Sequence, residues 1–342
     1  MSSEKFFTTK KALITLIAAS LVVIVSLGIR QTFGLFFFDF NADLNISISH
    51  FGFVIGLQLL MWGVFSPIFG FITDRYGGAT AIFIGFLFYL AGLFLFYSGL
   101  NTGYLFTLTI GLLIGIGLGG TAISIPVSVV AKHFPSSNRT IATGIVTCAG
   151  SFGFFVSPLL VRYSLIEIGW EITILYFCFL LGIGLITALF ISTPKTPVGN
   201  NDNNNQTAKE ALIEAFNNKS FIFLTLGFFV CGWHIALVAT HIPTYMMDRG
   251  MPDWTAAMIL ALVGVFNMIG TMGSGYLATK FSKKKVLSAI YLLRGVSLIY
   301  FLYLPPSIFN SVVFGVTFGL LWLSTVPPTN GLVAVSYTHL RA

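Results

Sequence analysis

The feature that most constrains this chain is the recurrence of long apolar runs. They lie at about 12–38, 51–73, 80–99, 104–131, 140–161, 172–192, 221–246, 255–278, 286–304 and 308–334. A helix rises about 1.5 Å per residue, so roughly 20 apolar residues cross the ~30 Å hydrocarbon layer of a bilayer. Ten spans are therefore expected. In hydrocarbon every backbone N–H and C=O must be bonded within the protein, which leaves helices or closed barrels. The short alternating segments of a barrel are absent, so the fold class is an all-α polytopic membrane protein. Composition agrees: 8% charged against 56% hydrophobic residues, with a mean hydropathy of +0.91, cannot cover a water-facing surface.

Charge then acts as a topology label. With the N-terminus in the cytoplasm, the inner segments hold Lys5, Lys10, Lys11, Arg75, Lys132, Arg139, Lys195, Lys209, Lys219, Lys280, Lys283, Lys284 and Lys285. The outer segments hold only Arg162 and Arg249, beside Asp39, Asp43, Glu167, Glu171, Asp248 and Asp253. This asymmetry follows the positive-inside rule. It accounts for the net charge of +7 without a nucleic-acid partner. The expected place is the cytoplasmic (inner) membrane of a bacterium, crossed many times. The basic start leads into a run too long for a signal peptide and interrupted by Arg30, so the first span is read as uncleaved.

A polar stretch, Gly199–Gln206, marks a linker. The expected organisation is an N-terminal six-helix bundle (1–192), a cytoplasmic linker (193–219) and a C-terminal bundle of four helices (220–334). The halves look duplicated. Gly70-Phe-Ile-Thr-Asp-Arg-Tyr-Gly77 returns as Gly275-Tyr-Leu-Ala-Thr-Lys-Phe-Ser282 at an offset of 205, and Gly28-Ile-Arg30 as Gly232-Trp-His234 at 204. A second six-helix half would need two more helices. Residues 335–342 break the apolar pattern and resemble a translated sequencing adapter, so the chain is expected to be a C-terminally truncated piece of a twelve-helix protein.

The loop Gly70-x-x-x-Asp74-Arg75-x-Gly77 resembles the signature loop of the major facilitator superfamily, and the weaker copy follows the eighth span, where that family places it. Gly28–Phe36, Ser151–Gly153, Gly227–His234 and Gly319–Pro327 are similar to bacterial members of its monocarboxylate-porter-like branch. The resemblance implies the twelve-helix fold of that family and secondary transport, with spans one, four, seven and ten lining the cavity. It also implies a gate at Gly70, Asp74, Arg75 and Gly77. In two places the pattern departs. Gly78 and Ala79 stand where basic residues usually follow, and Gly111–Val130 lacks the arginine of many proton-coupled members.

Ionisable groups in hydrocarbon are costly and each needs a reason. Arg30 in span one, with Gln31 beside it, can hold a carboxylate bidentately or pair with another helix. His234 matches Arg30 in the other half, where it is expected to face the same anion. His241 is seven residues on, hence expected on the same helix face. Either histidine can equally be a hydrogen-bonded packing group. Thr121, Ser124 and Ser128 form an expected polar stripe in span four, toward a cavity or a neighbouring helix. Asn330 lies beyond the proline pair Pro327–Pro328 in span ten. Arg294 is read as structural. Gly115-Ile-Gly-Leu-Gly-Gly120 fits a nucleotide-binding spacing, but no strand precedes it, so a small-residue packing face is expected. No catalytic group, metal set or cofactor is expected, and no ATP-binding loop occurs.

These readings converge on a secondary transporter of a small organic anion, a monocarboxylate, with a proton as candidate coupling ion. The protein is expected to be monomeric and not an enzyme. The alternatives are an exporter of amphipathic or cationic compounds, a non-transporting membrane sensor, and an intramembrane enzyme, for which no motif speaks.

Overall fold

The computed structural model describes residues 10–192, 217–329 and Leu332; residues 193–216 of the linker, the tail 335–342 and Asn330 lie outside them. Among the described residues all regular structure is helical, and nine helices are long and apolar enough to cross a membrane. Eight match expected runs one to one. The other, Asn138–Ala188, contains 140–161 and all but the last four residues of 172–192. Its 51 residues would make a straight rod of about 77 Å, more than twice a bilayer core. Gly169 breaks it, with φ 78° and ψ 172°, a conformation that only glycine adopts without strain. Across the break the Thr173 hydroxyl donates to the Gly169 carbonyl and lies 2.7 Å from Ser164 Oγ.

The chain divides into two compact units. The first comprises Met1–Pro194 with Ala236–Val265, the second Lys195–Ile235 with Phe266–Ala342. The cut therefore falls inside the seventh expected span.

In the first unit the glycine-rich helix Ile114–Thr121 lies in close contact with two neighbours. A Cβ at Gly115 would come within 2.7 Å of the Gln58 carbonyl, and one at Gly117 within 2.7 Å of the Gly85 carbonyl. The spacing that imitates a nucleotide loop is thus a packing face. At one end, Phe40 makes aromatic contacts with Phe96, Phe106 and Trp170, at centroid distances of 5.2, 6.0 and 5.4 Å. Trp170 also donates to Asp43 Oδ2 at 2.7 Å. Each such aromatic pair adds about 0.5–1.5 kcal/mol beyond simple burial. Large apolar side chains such as Leu60, Phe71, Phe179 and Leu292 face outward, where a membrane protein meets lipid.

Candidate functional site

Backbone breaks fall in four of the expected spans: one, four, seven and ten. Span one leaves α-geometry at Thr32, whose N–H bonds the Ile29 carbonyl, and continues as the 3₁₀ turn Phe33–Phe36. Span four carries a π-helical stretch at Thr107–Leu113, and its helix stops at Ala122, which is extended (ψ −173°), before Ser124–Ala131 begins. Span seven has a π-helical turn at Leu237–His241. Span ten ends its helix at Leu321, and Leu323–Thr325 form a 3₁₀ turn. That turn has a local cause: Pro327 and Pro328 lack N–H groups for the carbonyls of Leu323 and Ser324, four residues back, and their rings crowd those carbonyls. By contrast Ile48–Tyr76, Gly78–Tyr97, Trp254–Lys280 and Lys283–Tyr303 run unbroken. Irregular backbone at membrane depth is tolerated where it faces protein or a wet cavity.

In the first unit Arg30 and Gln31 close the helix Lys10–Gln31, directly before the break. Arg30 is 2% exposed and Gln31 wholly buried. Nε, Nη1 and Nη2 of Arg30 have no hydrogen-bond partner among the described residues, nor does either amide atom of Gln31. Gln58, also buried, donates Nε2 to the Ile110 carbonyl at 2.9 Å inside the π-helical stretch, while its Oε1 is unpartnered. Tyr89, fully buried, is the electrostatic neighbour of Arg30 and donates to the Ser26 carbonyl. An unpaired guanidinium away from water costs several kcal/mol. Both ion pairs among the described residues, Lys132–Asp74 and Arg162–Asp253, lie elsewhere.

The second unit gives both terminal nitrogens of its buried cation partners, while Nε has none among the described residues. Arg294 has no exposed surface; its Nη2 donates to the carbonyls of Leu321 and Trp322, and its Nη1 lies 3.3 Å from His234 Nδ1. Its guanidinium also stands 5.3 Å from the Tyr291 ring centre. Asn267 Oδ1 accepts from the Leu323 N–H at 2.9 Å, on the other side of the same break. The His234 ring meets Phe318 edge-on, at 5.8 Å and 84°.

The motif Gly70–Gly77 ends a helix. Ile48–Tyr76 stops at Gly77 (φ 93°), whose N–H bonds the Thr73 carbonyl at 3.0 Å. Asp74 forms an ion pair with Lys132 at 2.8 Å, and the Arg75 guanidinium stands 5.5 Å from the Tyr76 ring centre. A Cβ at Gly70 would meet nothing within 4 Å.

Two sequence expectations about faces do not hold. His234 and His241 do not share one regular helical face: the wider i→i+5 turn at Leu237–His241 rotates less per residue, and the two belong to different units. His241 is exposed, and the place for a Cβ on Gly52 lies 3.3 Å from its Cε1. Nor do Thr121, Ser124 and Ser128 make a single stripe, because the helix breaks at Ala122 between the first and second. Thr121 is buried and bonds back to the Gly117 carbonyl, Ser128 bonds back to Ile125, and Ser124 is exposed. Asn330 falls outside the described residues. Sequence reasoning missed Ser26, Tyr89, Lys132 and Asn267. Only Tyr89 carried a signal, a phenol within an apolar run.

A sequence model described as the Major Facilitator Superfamily matches residues 19–342. An agnestins efflux protein of Paecilomyces divaricatus is 24% identical over 84% of this chain and 65% of its own length. A hexuronate transporter of Bacillus subtilis is 23% identical over 75% and 62%, and a nitrite extrusion protein of the same organism 22% over 73% and 61%. The chain thus spans less than two thirds of the length of these relatives. Among solved structures, a D-xylose-proton symporter superposes with a TM-score of 0.66 over 92% of this chain and 80% of its own, at 14% identity. That likeness shows the fold.

Proposed function

The chain belongs to the major facilitator superfamily of membrane transporters, and we propose that within it this protein is a secondary transporter of a small organic anion, a monocarboxylate, working by alternating access. The observation that carries the reading is Arg30: a guanidinium buried in the first unit at a helix break, with no nitrogen partnered among the described residues. A carboxylate fits those donors bidentately. Next to Arg30 in the chain, Gln31 Oε1 also has no partner among the described residues, and a ligand hydroxyl or amide N–H would complement it, which favours a hydroxy-substituted carboxylate. In the arrangement described the donors are sealed from solvent, so the anion enters as the packing around them opens. The relatives named for hexuronate and nitrite handle anions, in keeping with this choice.

His234 is the proposed anion-facing residue of the second unit, and Gly70, Asp74, Arg75 and Gly77 the proposed inner gate. The proposed setting is a cell membrane with the N-terminus cytoplasmic, a monomer, six-helix bundle 1–192, linker 193–219 and C-terminal bundle 220–334. An exporter of cationic compounds is disfavoured. Each Asp and Glu among the described residues lies near a helix end or the Gly169 break, leaving no acid at mid-span.

The test is uptake of labelled carboxylates by the intact protein in proteoliposomes. Arg30→Gln should lower uptake at least about tenfold at equal protein levels, the size expected for losing a charge-assisted pair. Wild-type uptake by that variant overturns the assignment.

A further inference from the structure

We propose that Arg294 is a positioning residue: it fixes the proton of His234 on Nε2, so that the neutral ring offers one N–H to the transported anion. This rests on the transport reading for its ligand but not for its geometry.

The chemistry is one-sided. A guanidinium carries only N–H donors and no lone pair. Arg294 Nη1 faces His234 Nδ1 at 3.3 Å, so the bond forms only if Nδ1 is the acceptor. A neutral imidazole then holds its single proton on Nε2. Nε2 makes no hydrogen bond among the described residues, and the edge-on contact with Phe318 restrains the ring plane. Arg294 is itself fixed from a second side by the Leu321 and Trp322 carbonyls at the break in span ten. The guanidinium therefore joins two features in one unit, the broken end of a helix and the tautomer of a histidine. The charged and titratable groups around the pair are few: Tyr291 on the helix of Arg294 and Cys231 on that of His234. The helix Ile308–Leu321 adds none, having no titratable residue. No described carboxylate pairs with either group, so nothing there supports an imidazolium. An oxygen of an anion is the complement of an N–H without a partner.

Nitrogen NMR of ¹⁵N-histidine-labelled intact protein in lipid discs, assigned with His234→Gln, reads the tautomer directly and needs no transport. The expected result is protonated Nε2 and unprotonated Nδ1 in the wild type, lost in Arg294→Gln. A proton on Nδ1, or an Nε2–H form unchanged in Arg294→Gln, overturns the positioning role. Transport kinetics test the ligand. The Gln amide reaches the place of Nε2, whereas the Asn amide reaches only that of Nδ1. His234→Asn should raise KM about tenfold with Vmax little changed, and His234→Gln should raise it several-fold less. Equal KM changes in the two variants overturn the donor role. If the wild type carries no anion, the transport reading and the ligand fall together, while the tautomer still decides the role of Arg294.

Discussion

The break in the fourth span and the break in the tenth are the same backbone defect, treated with different chemistry. Both strand carbonyls that a continuous helix would satisfy. At the first, the Thr121 carbonyl receives a hydrogen bond of 2.9 Å from the neutral hydroxyl of Ser26, whose own carbonyl accepts from Tyr89. At the second, the carbonyls of Leu321 and Trp322 are held by a guanidinium, and Asn267 accepts from the Leu323 N–H. A charge-assisted bond is roughly twice as strong as a neutral one. The comparison also extends to where each unit leaves its cation. In the second unit Arg294 is consumed by structure, whereas in the first a hydroxyl does the capping and Arg30 has no partner among the described residues. A cation without a structural task is the one available to a ligand.

The sharpest way to break this comparison is to remove the stronger cap. Arg294→Met should remove the guanidinium's bonds to two carbonyls and to His234 Nδ1, lowering stability by about 3 kcal/mol or more at ~1–3 kcal/mol for each buried group left without it. Unfolding in detergent measures it, and a loss no larger than that of a surface substitution would mean the guanidinium is not what holds the break. Asn267→Leu orphans a single N–H and should cost about 1–3 kcal/mol by the same rule. Ser26→Ala removes one neutral bond at the span-four break, for which about 1 kcal/mol is expected. If Ser26→Ala cost as much as Arg294→Met, the contrast between the two breaks would disappear.

How far was this legible in the chain itself? The spans were, because twenty or so apolar residues have few alternatives in a bilayer. The break in span ten was half legible, since Pro327 and Pro328 must free the carbonyls four residues earlier. What disturbs the helix there is local; what holds the neighbouring groups of Leu321, Trp322 and Leu323 is not. Arg294 and Asn267 come from helices 27 and 56 residues away in sequence, and no periodicity announces such a pairing. The break at Ala122 had the same signal, since Pro126 lacks the N–H for the Ala122 carbonyl four residues back, but that signal went unread and the Thr121–Ser124–Ser128 spacing was taken as one face. The π-helical turn before His241 misled in the same way: both readings assumed a regular 3.6-residue period across a place where the period changes. Arg30 was singled out by the cost of a charge in hydrocarbon, a signal that needs no partner to be seen.

The smallest expected effect concerns an ion pair outside both breaks. Asp253 accepts from Arg162 at 2.9 Å, in the first unit and largely exposed. The Arg162 hydrogen bond, more than any other contact, holds the Asp253 carboxyl below its usual range. A carboxyl depressed in the folded protein stabilises it above the unfolded-state value, and that contribution fades as pH falls through the folded value. Loss is therefore expected below about pH 4, the ordinary carboxylate range. Because water and salt screen the pair, Asp253→Asn should change stability by well under ~1 kcal/mol at neutral pH, with less difference still at high salt. Thermal unfolding of wild type and variant from pH 3 to 7 checks both the size and the sign. A neutral-pH cost approaching that of Ser26→Ala would mean that exposure does not discount this pair, and the ordering from charged buried cap through neutral buried cap to exposed ion pair would fail at its lower end.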